Sequence, residues 1–350
     1  MRRGTLLALA AAGLGSGSAL AEVEDPVTLY GRVYVMFDVV EAKGGATPLV
    51  RRNRVSDQSS LVGIKGSETL GPDLKGFFQL ETGFPPDQQN AQGTNNFAQR
   101  NSGIGLQSRW GSVLMGRWDM PFKMSQVAPV DPFTDLSIAD ITGTAVNQGN
   151  FSNREQNVVQ YWSPEVGGLA LKLAYAADEG KTAARDPYKY GASLVWSKGE
   201  YYLAYAYERH HDYSDGTATA GVSQIGNGIA GYFRLFGAKL MAQYGTYTKT
   251  NATKQKSYAL GVDWLFGGNH HLLALYQNSK DGGANNAPQP SCTALGLGYR
   301  YDFSKRTRFQ ANSVKVNNKV GNLCNFGAGT LNIGEGQDPQ GIAAGFRHDF

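Results

Sequence analysis

Leu295-Gly296-Leu297-Gly298-Tyr299-Arg300-Tyr301-Asp302-Phe303 alternates residue by residue, with Leu, Leu, Tyr, Tyr and Phe at odd positions and Gly, Gly, Arg and Asp at even ones. Side chains of a β-strand point to opposite faces in turn, so the stretch reads as a strand with one apolar face and one small or charged face. Tyr258-Ala259-Leu260-Gly261-Val262-Asp263-Trp264 repeats the pattern. So does the opening segment, where Leu29, Val33, Val35 and Phe37 oppose Tyr30, Arg32, Tyr34 and Asp38. A soluble sandwich also alternates, but its apolar face is a buried core, and frequent aromatics at strand ends have no special place in it.

Working outward from these segments predicts strands at 27–40, 56–68, 74–84, 97–109, 112–120, 156–163, 169–178, 188–197, 201–209, 226–236, 238–248, 256–266, 270–279, 293–303, 307–317 and 339–350, sixteen in all. Short turns such as Gly71-Pro72-Asp73, Lys198-Gly199-Glu200, Gly267-Gly268-Asn269 and Ser304-Lys305-Arg306 alternate with longer connections rich in Gly, Asn, Asp, Gln and Pro. Outer-membrane barrels have this rhythm, with tight periplasmic turns and extended outer loops, and an even strand count returns both termini to the periplasm. Each strand approaches the roughly 9–11 residues that a tilted strand needs to cross the hydrocarbon layer. Closure pairs every backbone group where lipid offers no hydrogen bond. At about sixteen strands the interior is too wide for side chains to fill, so it encloses an aqueous channel. The expected fold is therefore all-β, a 16-stranded antiparallel transmembrane β-barrel. The longest connection, 121–155, has two placements open to it: folded inward to narrow the channel, or lying outward on the surface.

The first residues fix the compartment. Arg2-Arg3, the apolar run 5–14, a small-residue stretch and Ala19-Leu20-Ala21 before Glu22 form the three regions of a secretory signal. Residues 1–21 are thus expected to be cleaved, leaving 22–350 as a single barrel domain. Beyond the signal no apolar run reaches the roughly 18 residues of a transmembrane helix. The mean hydropathy of −0.35 does not exclude a barrel, because only alternate residues of each strand meet lipid. A net charge of +4, dispersed along the chain, lacks the concentrated basic face of a nucleic-acid partner. The chain's two cysteines, Cys292 and Cys324, are expected to form a disulfide in an exported protein, although spacing alone does not establish the pair.

Several motifs carry less than they spell. Gly226-Asn227-Gly228-Ile229-Ala230-Gly231 matches a dinucleotide-binding fingerprint but has no β-α-β context. The adjacent pairs His210-His211 and His270-His271 point to opposite faces of a strand and cannot share a metal. Asp212-Tyr213-Ser214-Asp215-Gly216 lacks the closing Glu of a calcium loop. With no Gly-x-Ser-x-Gly elbow and no Ser/His constellation, neither an enzyme nor a cofactor is expected.

Six segments in order resemble the general trimeric porins of β-proteobacteria across essentially all of residues 22–350. They are Val27-Thr28-Leu29-Tyr30-Gly31, the stretch from Gly63-Ile64-Lys65-Gly66 to Leu70-Gly71, and Gly111-Ser112-Val113-Leu114-Met115-Gly116-Arg117. The others are Asn157-Val158-Val159-Gln160-Tyr161-Trp162, Asp302-Phe303-Ser304-Lys305-Arg306-Thr307 and the ending Gly345-Phe346-Arg347-His348-Asp349-Phe350. The resemblance implies passive diffusion of small hydrophilic solutes and ions, a homotrimer in lipid and lipopolysaccharide, and an inward third loop. It also implies a basic wall facing acids of that loop. Carried onto this chain, the wall includes Arg100 and Arg154, and polar-face parity adds Arg32, Arg117 and Arg300. The loop acids are Asp131, Asp135 and Asp140. Where the family usually has a third wall arginine this chain has Leu61, which reduces the expected anion preference; Arg51, Arg52 and Arg54 lie nearby. Arg100 shares parity with Ile104 and Leu106, so a bulge between Arg100 and Gly103 is expected. Phe346 and Phe350 resemble the terminal signal read by the outer-membrane assembly machinery. The rival function is a substrate-specific outer-membrane channel.

Overall fold

In a computed structural model, residues 27–87, 97–133, 137–144, 151–251, 254–280 and 291–350 are described. The expected signal, 1–21, and Asp135 lie outside them. The strands run β1 Thr28–Gly44, β2 Leu49–Asp57, β3 Leu61–Gly71, β4 Leu74–Gly83, β5 Ser102–Ser108, β6 Gly111–Asp119, β7 Arg154–Trp162, β8 Leu169–Ala177 and β9 Tyr188–Lys198. They continue with β10 Tyr201–Ser214, β11 Thr217–Leu235, β12 Ala238–Lys249, β13 Gln255–Phe266, β14 His270–Lys280, β15 Ser291–Asp302, β16 Thr307–Asn318 and β17 Gln337–Asp349. β2 and β3 both pair with β1, over Val35–Ala42 and Thr28–Arg32 respectively, so they are two halves of one spanning strand and the barrel has sixteen. Antiparallel pairing of β1 with β17 closes the ring. At the seam Gly31 and Phe350 exchange backbone hydrogen bonds of 3.1 and 3.0 Å.

The alternation sets which face is which. Leu295 and Leu297 stand 48% and 51% exposed on the outer face, whereas Tyr34, Met36, Asp38 and Val40 of β1 are buried on the inner one. Where turns are short, aromatics gather on the outer rim. Trp264 packs on Phe266 (5.5 Å between ring centroids), Tyr301 on Phe303 (4.9 Å) and Phe309 on Phe346 (5.5 Å), as an interfacial girdle requires. Gly267-Gly268 turns the chain between β13 and β14 with φ of 55° and 89°, a conformation that residues with a Cβ rarely adopt.

The strands depart from the sequence reading mainly at their long-loop ends. β1 and β2 form a hairpin that begins the second crossing at Leu49 rather than 56, and β11 starts at Thr217 rather than 226. Polar strand ends beyond the lipid band pair by backbone alone and leave no apolar alternation to read. The predicted strand 97–109 is shorter, Ser102–Ser108.

Candidate functional site

The third connection enters the lumen. Its helix α1, Pro121–Gln126, starts on a proline, whose fixed φ suits the first helical position. It is pinned to the inner wall by the Tyr202 hydroxyl, which donates to Ser125 O (2.9 Å), by Lys239 Nζ to Pro129 O (2.7 Å) and by Gln277 Nε2 to Asp140 O (2.8 Å). Phe122, Phe133, Ile141 and Phe151 are fully buried beneath it. The wall accommodates them with glycine. A Cβ on Gly296 would lie 2.9 Å from Ala139 Cβ and one on Gly298 2.7 Å from Phe133; Gly226 and Gly228 leave the same kind of space for Phe151 and Gln126. The glycines of the false dinucleotide fingerprint are thus part of the seat for the loop. The eighth loop, 319–336, also turns inward: Ala328 N–H donates to Ser137 O (3.0 Å) and Arg54 to Gly329 O. The disulfide Cys292–Cys324 holds this loop to the start of β15, with Cα atoms 6.4 Å apart.

The helix of the third loop packs against β8 to β11, and Met120 and Met124 join a cluster with Leu114 of β6 and Val158 of β7; the charged network of the lumen lies on the arc from β3 to β7. On that arc Arg100 Nε meets Glu81 Oε1 at 2.7 Å, and its Nη1 donates to Ser59 Oγ at 3.2 Å. Arg32 donates to the same Ser59, through Nε to the carbonyl at 2.8 Å. Ser59 sits in the break between β2 and β3 at φ 71°, so the interrupted strand presents both a carbonyl and a hydroxyl to the two arginines. At the root of the third loop Arg154 binds Asn101 Oδ1 (2.7 Å) and Asp119 (3.2 Å), and Lys123 binds the same Asp119 (3.1 Å).

The parity conflict at Arg100 is resolved as the alternation demands. Gln79 stands opposite Gly103, yet Arg100 N–H reaches Glu81 O at 2.9 Å, so one extra residue separates the two contacts. Leu61 is buried on the inner wall, directly opposite Arg32. Arg117 lies two residues before Asp119 in β6, and its Nε donates to Gln99 O (2.6 Å), so it fastens the second loop beside the same network. Asp131 and Asp140 are 3% and 1% exposed; Asp131 accepts from Phe133 N–H (2.9 Å) and Asp140 caps the turn Ile141–Gly143 through Thr142 N–H (2.7 Å). Of the first-loop arginines, Arg54 pairs with buried Asp38 (3.1 Å), while Arg51 and Arg52 are exposed.

Arg300 belongs to a second cluster at the short-turn end. It binds Asp263 (3.2 Å) and Asp302 (3.3 Å) and lies 2.7 Å from His271 Nδ1. Beside it lies a row that sequence reasoning missed: Tyr34 stands opposite Arg347, Arg347 opposite Arg308, and Arg308 opposite Asp302. Each member has inward parity, so four neighbouring strands present one continuous polar band. The only signal in the sequence was that parity; which residues meet across strands depends on register.

A closed barrel with an apolar outer band, a charged lumen and a loop folded inside defines a class: outer-membrane diffusion channels. The model of the Gram-negative porin family matches residues 6–321, and the chain belongs to that family. Outer membrane porin protein 32 of Delftia acidovorans is 28% identical over 368 residues, covering 99% of each chain. Among solved structures, an anion-selective porin from Comamonas acidovorans aligns with a TM-score of 0.79 at 24% identity, covering 93% of this chain and 100% of that one. The trimer form of OmpT from Vibrio cholerae aligns with a TM-score of 0.71 at 16% identity, covering 94% and 100%. The protein is a general porin channel of the bacterial outer membrane and not an enzyme.

Proposed function

We propose that this porin passes small hydrophilic solutes and ions with a weak preference for anions, and that Arg32, Arg100 and Arg154 set the preference. The observation that carries it is the gathering of these arginines with Lys123 around Ser59, Asn101 and the root of the third loop. Glu81 and Asp119 lie within the same network and offset part of its charge, which keeps the preference weak. Fixed positive charge in a narrow, low-dielectric-walled passage raises the local anion concentration. Asp131 and Asp140, buried in the third loop, contribute field across the lumen rather than contact with solutes. The solved relative described as anion-selective agrees with this reading.

Residues 1–21 act as the export signal, Phe346 and Phe350 as the terminal signal for the assembly machinery, and the working unit is a homotrimer in lipid and lipopolysaccharide, the trimer form of a structural relative being its support. The test of selectivity is the zero-current potential across a planar bilayer under a salt gradient. The double variant Arg100→Gln with Arg154→Gln should lower the anion-to-cation permeability ratio about two- to threefold. An unchanged potential refutes their role.

A further inference from the structure

The second cluster sets two guanidinium groups face to face and leaves one of them with an unmet donor. Arg347 holds Asp349 through both Nε and Nη2 (3.0 and 2.8 Å), and Arg300 is shared between Asp263 and Asp302. Arg308 lies directly across from Arg347, yet its buried Nε has no hydrogen-bond partner among the described residues. Like charges directly opposite on neighbouring strands destabilise a sheet. The next residue along the row, Tyr34, is 1% exposed, and its hydroxyl also lacks a partner among the described residues. The charges that reach that hydroxyl are Arg308, Arg347, Arg300 and, from the third loop, Asp131. Two unmet donors therefore sit in one corner of the lumen, between facing arginines.

We propose that this corner is a binding site for a small oxyanion, a carboxylate or phosphate group, seated between Arg308 and Arg347 and receiving the Tyr34 hydroxyl. Guanidinium forks match paired oxygens in a plane, which a halide does not offer. An anion there separates the two facing arginines electrostatically and satisfies both unmet donors. The site lies at the short-turn end, apart from Arg100 and Arg154 at the root of the third loop, with Arg32, opposite Asp349, between them, so a solute crossing the channel meets two basic stations in sequence. Conduction requires that each hold the solute weakly enough to release it.

The measurement is block of chloride current through the full-length protein in planar bilayers at fixed salt, with sodium phosphate and, separately, sodium succinate as probes. Saturable block by either anion is expected. Arg308→Gln should raise the half-blocking concentration about tenfold, the factor for roughly one charge-assisted hydrogen bond. Tyr34→Phe, which keeps the ring and its packing, should raise it about threefold, and it carries the test if Arg308→Gln does not assemble. Block that rises linearly without saturation, or is unaltered in both variants, overturns the site. The selectivity proposed above fails separately, by its own zero-current potential, since block is read at constant ionic conditions.

Discussion

The two charged regions of the lumen use the same residue types to opposite ends. Near the root of the third loop, Arg100 and Arg154 each have a carboxylate within 3.2 Å and further bonds to Ser59 or Asn101. At the short-turn end Arg308 has a second arginine opposite it and an unmet Nε. Arginines held by carboxylates are fixed in place and act on passing ions through a residual field, while one with an unmet donor retains bonding capacity for a solute. Among the described residues, what separates the two is how the acids are shared: Glu81 and Asp119 meet the arginines of the first region directly, whereas Asp263, Asp302 and Asp349 of the second are engaged by Arg300, His271 and Arg347.

Removing the carboxylate from the first region should break the contrast most severely. Asp119→Ala leaves Arg154 and Lys123 without their shared partner. Breaking a buried pair from one side costs about 3–5 kcal/mol, with the lower end expected because the Asp119 side chain retains 15% exposure. The denaturant midpoint of the refolded barrel should fall accordingly; a wild-type midpoint would show that Asp119 is dispensable. Next in size is Gly298→Leu. The new side chain meets Phe133 from a Cβ 2.7 Å away, and overpacking of this kind costs roughly 1–3 kcal/mol. The third loop should lift from its seat, carrying Asp131 away from the Arg308 row and raising single-channel conductance. Unchanged conductance would mean that the loop does not limit flow. The smallest effect is expected of Glu81→Gln, which keeps a hydrogen-bond acceptor for Arg100 but releases its charge. Anion-to-cation permeability should rise by a factor of about two at low salt and return toward the wild-type ratio at 1 M, where the Debye length is about 3 Å. A ratio insensitive to Glu81 at low salt would make the first region a structural clasp only.

Much of the barrel was legible because lipid on one side and water on the other impose a two-residue period that the sequence must obey. The break at Ser59 was not read, although Asp57 beside it accepts from the Ser59 and Ser60 N–H groups (3.0 and 2.8 Å); the arginines that it serves, from β1 and the second loop, are distant in sequence. Parity nominated Arg32, Arg117 and Arg300 for the polar face but carried no information on what each of them meets. The acid partners Glu81 and Asp119, and the facing of Arg308 on Arg347, depend on strand register. A single strand carries no record of its neighbour's register.

The glycines at 296 and 298 also have a bearing on assembly. Strands slide in units of one residue, and a slip of one inverts a strand's faces. In β15 that slip would bring Leu295 and Leu297 under Phe133 and Ala139, where even a Cβ has no room. The docked loop is thus a gauge of alignment: only a correctly threaded sheet offers a groove shallow enough to receive it, and a misregistered barrel would be left with an unplugged lumen and an unseated loop.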